Sequence, residues 1–90
     1  MEVQEKVPYT IAIIAHDGKK AEMVAFIRDH AELLHRNHIF LVATGTTGLH
    51  VERAGFIVER LASGPNGGDA QIASRIVEGR IQMVIFFRDP

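Results

Sequence analysis

Ile11-Ala12-Ile13-Ile14-Ala15 is an unbroken apolar run that stops abruptly at His16-Asp17-Gly18-Lys19-Lys20. Two runs of the same kind follow. Ile39-Phe40-Leu41-Val42-Ala43 precedes Thr44-Gly45-Thr46-Thr47-Gly48, and Met83-Val84-Ile85-Phe86-Phe87 precedes Arg88-Asp89-Pro90. Each is too short for a helix, rich in branched and aromatic residues, and continuous rather than alternating. That pattern predicts strands buried on both faces, at Thr10–Ala15, Ile39–Ala43 and Met83–Phe87. A shorter strand is expected over Phe56–Leu61.

The segments between these runs have helical spacing. Met23, Phe26, Ile27, Leu33 and Leu34 share one face of a helix expected from about Lys20 to Leu34. Leu49–Ala54 reads as a short helix. Ile72, Ile76 and Val77 mark another, opening near Gly68 and closing at Gly79, a residue suited to a helix C-terminus. The order β-α-β-α-β-α-β implies an α/β protein: a parallel sheet with right-handed crossovers and helices on both faces, in three layers.

Ninety residues make one domain, spanning 1–90, with a thin core. A net charge of -1 and a pI near 6.5 argue against a nucleic-acid partner. The absence of cysteine excludes disulfides, thiolate catalysis and cysteine metal sites. No apolar run approaches the roughly 20 residues of a membrane span, and the start, Met1 to Pro8, lacks an apolar signal core. A cytoplasmic protein without a membrane partner is the expectation.

In a parallel sheet of this kind ligands bind beyond the carboxyl ends of the strands. The four loops there carry the chemistry. Thr44–Gly48 combines small residues, hydroxyls and a helix start, which suits a phosphate; it also suits a tight turn with threonine caps. It lacks the Gly-Lys-Ser/Thr ending of a Walker loop. Ser63-Gly64-Pro65-Asn66-Gly67-Gly68-Asp69 brings a carboxylate to another helix start, where Asp69 can be an N-terminal cap or a general base. A helix N-terminus stabilises a charged carboxylate and weakens it as a base, so Asp69 would act only on an acidified proton, such as one next to a carbonyl. His16 and Asp17 can be a structural pair. Lys20, taken by itself, reads as solvated. Met23 and Met83 read as core. His30, His35, His38 and His50 lack metal-site spacing and read as surface residues.

Taken together, Ala15–Lys20, Ala43–Gly48, the Leu61–Asp69 segment with its Gly-Pro-x-Gly-Gly-Asp, and Ile85–Pro90 closely resemble the methylglyoxal synthase family. The resemblance implies a methylglyoxal synthase-like, Rossmann/flavodoxin-like sheet with an order beginning 3-2-1-4. It implies a lyase of the glycolytic bypass, converting dihydroxyacetone phosphate to methylglyoxal and inorganic phosphate with no metal or organic cofactor. It implies a homo-oligomer, a hexamer. By correspondence Asp69 is the catalytic base, with Asp17 and Asp89 as supporting catalytic carboxylates. His16, Lys20, Thr44, Gly45, Thr46, Thr47, Ser63 and Gly64 contact substrate and phosphate. Family members are longer than this chain, so a last strand, a closing helix and a carbonyl-polarising segment are expected beyond Pro90. The chain alone is then expected to be inactive, with its strand at Met83–Phe87 an open apolar edge. A non-catalytic effector-binding module of the same fold, or an inactive fragment, are the alternatives; Asp69 behind its glycine-rich approach favours the enzyme.

Overall fold

The apolar runs become the strands of a parallel sheet in the computed structural model, which describes residues 7–90. The first six residues of the expected 1–90 domain lie outside the described residues. The elements are β1 (Tyr9–Ala15), α1 (Lys20–Asp29), α2 (Ala31–Leu34), β2 (Ile39–Thr44), α3 (Gly45–Arg53), β3 (Val58–Leu61), α4 (Gly68–Val77) and β4 (Met83–Phe87). Single 3₁₀ turns at Asp17–Lys19 and Gly64–Asn66 lead into α1 and α4.

The sheet order is β3-β2-β1-β4, with all pairs parallel. Registers such as Thr44 opposite Leu61 and Ala15 opposite Phe87 bring the four carboxyl ends to one edge. Side chains alternate across a strand. Ile11, Ile13, Leu41 and Ala43 therefore meet Met23, Ile27, Val51 and Phe56 from the α1–α3 side. Ala12, Val42 and Leu61 meet Ile72 of α4 and Ile81 on the other side. Ile13, Met23, Ile27 and Val51 are fully buried, each stabilising the fold by about 1.5–3 kcal/mol. This is the three-layer arrangement expected from the alternation of elements.

Several expectations are corrected. The helix expected over Lys20–Leu34 breaks at His30, whose backbone leaves the helical region and whose Nδ1 lies 2.9 Å from the Phe26 carbonyl. That local side-chain bond takes up a carbonyl at the end of α1. The chain restarts as α2 with Leu34 buried and Leu33 turned outward. The helix expected at Leu49–Ala54 begins earlier, directly after β2, at Gly45. Among the described residues, only β1 and β2 have neighbouring strands on both sides. β4 is the open apolar edge that was expected, with Val84 and Phe86 exposed, but Met83, read as core, is 44% exposed. Ile76 and Val77 are likewise exposed, because α4 buries a narrow stripe centred on Ile72. Gly79 does follow the C-terminus of α4, at φ +74°, where glycine is favoured.

α4 is also clamped to β3 by Arg75, whose guanidinium donates two 2.7 Å bonds to the Glu59 carboxylate. Those bonds hold the Glu59 carboxyl below its ordinary value. A depressed folded-state value means the contribution is present above the unfolded pKa and lost as pH falls through the folded one. Glu59 is half exposed, so the contribution is small. Glu59→Gln is expected to lower stability at neutral pH by less than about 1 kcal/mol. In urea titrations the difference from wild type should shrink as pH drops below the usual carboxylate range; a gap that persists in acid would show that the pair acts otherwise.

Candidate functional site

β1 ends at Ala15, and His16 continues the ladder by one bond, its backbone N–H donating to the Phe87 carbonyl at 3.0 Å. This draws the end of β4 alongside, so that the Asp89 backbone N–H donates to His16 Nδ1 at 3.0 Å. The Asp89 carboxylate lies 4.0 Å from the same nitrogen. It rests on Gly18, where a Cβ would stand 3.0 and 3.1 Å from its two oxygens. Glycine at 18 therefore makes room for a carboxylate. His16 pairs with Asp89 rather than with its neighbour Asp17, and its side chain is 43% exposed, so the buried structural His–Asp pair does not form.

Lys20 corrects the solvated reading. Its side chain is only 13% exposed. The ammonium donates to the Ala15 carbonyl at 2.7 Å and to Thr47 Oγ1 at 3.2 Å, with Asp17 Oδ1 at 3.4 Å. A cation in the first turn of a helix works against the helix dipole. Lys20 is thus badly placed for helix stability and well placed to meet an anion above the strand ends.

α3 follows β2 with no intervening loop. Thr44 and Thr47 are buried, while Thr46 is open. Gly45 turns the chain at φ +47°, and a Cβ there would press on Ser63 at 3.1 Å, so the phosphate-type loop and the β3 loop meet closely. Thr44 occupies the N-cap position and makes no side-chain capping bond. The first-turn N–H groups of α3 therefore lack the threonine cap that the plain structural reading required.

The β3 loop is tied to itself. The Ser63 carbonyl accepts from the backbone N–H of Asn66 (3.0 Å) and Gly68 (2.8 Å), and the Gly64 carbonyl from Gly67 (3.1 Å). Gln71 Oε1 accepts from the Ala62 N–H at 3.0 Å and fastens the loop to α4. The N-cap position of α4 is Gly67, and no side-chain capping bond forms there. Asp69 sits in the first turn instead, exposed, with both oxygens 3.4 Å from where a Gly64 Cβ would be. The capping reading of Asp69 fails, and even a Cβ at position 64 would meet its carboxylate only in ordinary van der Waals contact.

A cleft of about 510 Å³ opens between these loops. Its lining includes every residue singled out from the sequence: His16, Asp17, Lys20, Thr44, Gly45, Thr46, Thr47, Ser63, Gly64, Asp69 and Asp89. Phe86 and Pro65 also line it. Phe86 escaped notice because its apolar run reads as core, and Gln71 because glutamine on a helix carries no signal. A groove of about 590 Å³ lies over the opposite strand ends, lined by Leu34, Phe40 and Ile57 among others. It is slightly larger, but Arg75 and Glu59 there are already paired with each other. The candidate residues gather in the smaller cleft.

Among the described residues, no group of three or more His, Asp or Glu stands where it could hold a metal ion. Among the same residues, no helix is long and apolar enough to cross a membrane. The other four histidines are scattered; His35 stacks on Phe56 with ring centres 4.4 Å apart.

Known proteins match this chain in both sequence and fold. The family model described as MGS-like domain matches residues 22–90. A methylglyoxal synthase of Thermus thermophilus is 52% identical over 81 residues, covering 89% of this chain and 63% of that protein. Methylglyoxal synthase of Moorella thermoacetica is 54% identical over 83 residues, covering 89% and 62%. The crystal structure of methylglyoxal synthase from Elizabethkingia anophelis NUHP1 superposes with a TM-score of 0.84 at 47% identity, covering 93% of this chain and 56% of that one. The chain thus spans about three fifths of the length of the relatives it matches. With the matched segment taking in most of the sequence and the fold superposing closely on a solved relative, the chain belongs to the MGS-like domain family.

Proposed function

We propose that this cleft serves the conversion of dihydroxyacetone phosphate to methylglyoxal and inorganic phosphate. The observation that carries the reading is the placement of an uncapped carboxylate, Asp69, beside an uncapped helix start, α3, and a sheltered ammonium, Lys20, on one cleft. An aspartate-containing phosphate cradle is what a carbon acid with a phosphate leaving group requires.

Asp69 would take the proton from the carbon between the carbonyl and the hydroxyl. The electron pair moves onto the carbonyl oxygen and leaves an enediolate phosphate. A proton passes from the neighbouring hydroxyl to that oxygen. The hydroxyl oxygen's electrons then form an aldehyde carbonyl, the double-bond pair shifts to expel the phosphate by breaking its C–O bond, and the remaining enol takes a proton on its terminal carbon to become methylglyoxal. The α3 N–H groups, Thr46, Ser63 and Lys20 would hold the phosphate and stabilise the charge it carries away. His16 and the carboxylates of Asp17 and Asp89 would sit around the reacting carbons. The resemblance extends this reading to a cytoplasmic homohexamer.

The test is to incubate the protein, extended to the length of its relatives, with dihydroxyacetone phosphate and measure methylglyoxal and inorganic phosphate together. Equal release of both supports the lyase. Isomerised triose phosphate with its phosphate intact would contradict it, and tight phosphate binding without turnover would favour the non-catalytic effector module.

A second expectation concerns the anion. Lys20→Met removes a charged donor at one wall of the cleft, and charged hydrogen bonds are worth about 1.5–3 kcal/mol. Inorganic phosphate should bind at least about tenfold more weakly by calorimetry. Unchanged affinity would take Lys20 out of the anion site.

A further inference from the structure

The orientation of His16 is over-determined in a way its binding role alone does not explain. A backbone amide only donates, so the Asp89 N–H at 3.0 Å obliges His16 Nδ1 to present a lone pair. The ring proton is then on Nε2. Phe86 meets the same ring edge-to-face, with centroids 5.2 Å apart and planes at 90°. Phe86 is 50% exposed, so core packing does not account for its position, and it lines the cleft beside Asp89. A half-exposed imidazole can flip about its Cβ–Cγ bond, which would put Cε1–H where Nε2–H had been and break the bond to the Asp89 N–H. The amide selects the tautomer, and the Phe86 ring fixes the plane.

From this we infer that Phe86 is a positioning residue, acting through His16 to keep Nε2–H aimed into the cleft as a fixed hydrogen-bond donor. The inference rests on the cleft being the binding site proposed above. The group that His16 Nε2–H would meet is an oxygen that gains negative charge, such as a carbonyl oxygen becoming an enediolate, rather than an acidic proton. Asp69 then remains the base, and His16 contributes no proton acceptor.

The experiment uses ¹⁵N-histidine protein, with His16 assigned by its loss in His16→Gln, at a pH well above the usual imidazole range. Wild type should show Nδ1 as the bare nitrogen and Nε2 as the protonated one. In Phe86→Leu the two shifts should move toward each other as the ring samples both orientations; Phe86→Tyr, which keeps the ring, should retain the wild-type shifts. Binding is read with two probes. The affinity of 2-phosphoglycolate, whose planar carboxylate stands in for the enediolate, should fall about threefold to tenfold in Phe86→Leu, in line with the worth of an aromatic pair. Inorganic phosphate, held by the α3 start, should bind as before. A protonated Nδ1 in wild type, unchanged shifts and phosphoglycolate affinity in Phe86→Leu, or a Phe86→Leu protein that unfolds would each overturn the inference. If neither probe binds wild type, the proposed function is lost, and the nitrogen shifts alone decide the role of Phe86.

Discussion

In the protein extended to the length of its relatives, Asp69→Asn is expected to lower methylglyoxal formation from dihydroxyacetone phosphate by at least about 100-fold, the usual loss when a general base is removed. The substitution keeps the shape of the side chain in the first turn of α4 and makes no demand on the Ser63–Gly68 loop. Stability should hardly change, because Asp69 contributes no capping bond that asparagine would lose. Phosphate binding should survive, because the substitution leaves the α3 start and Lys20 unchanged. Loss of turnover together with loss of phosphate affinity would point to a collapsed site rather than a missing base. Near-normal turnover would move the role to Asp17 or Asp89, the other carboxylates on the cleft.

Gly68→Ala is the substitution expected to damage the fold most. Alanine is ordinarily preferred to glycine in a helix by about 1 kcal/mol. Here that preference loses. Gly68 opens α4 against the end of β3, and a Cβ there would overlap the Ala62 carbonyl oxygen and come within 2.9 Å of Thr44 Cγ2. The obstacle is mainly backbone, which cannot rotate out of the way. Ala62 is held by Gln71, and Gly68 N–H is bonded to the Ser63 carbonyl, so helix and loop would have to separate. A loss of about 3 kcal/mol or more is expected, at or beyond the upper end of overpacking costs. Urea unfolding measures it. Phosphate binding should fall as well, because the same movement pulls Thr44 and Ser63 apart. A fully stable Gly68→Ala protein would mean that the helix start is free to shift.

Lys20 and His16 show where local reading stops. Lys20 opens α1 among the charged residues Asp17, Lys19 and Glu22, and nothing nearby says that its ammonium turns inward. It does so because the Ala15 carbonyl and Thr47, 27 residues away, supply acceptors at the strand ends. His16 stands next to Asp17, and proximity in sequence suggests that pair. The partner is Asp89, 73 residues away, brought alongside because β4 lies against β1. The motif resemblance marked both as candidate substrate contacts without saying which group each would meet.

The alternation of elements, and the edge of the sheet at which the candidate residues gather, were legible in the residues alone. Both depend on short-range causes: apolar runs of strand length, helical spacing between them, and small or charged residues at the ends of the runs. Tertiary packing settled which apolar residues are buried and which polar ones are paired. Met83 and Val77 are hydrophobic like Ile13 and Ile72, yet they stand exposed, because burial depends on which strand is central and which stripe of a helix meets the sheet. Packing also settled that Thr44 and Asp69 do not cap their helices. Capping needs a side-chain oxygen turned back onto its own helix, and here the close crossing of the α3 and α4 starts at Gly45, Ser63 and Gly68 sets the loop geometry instead.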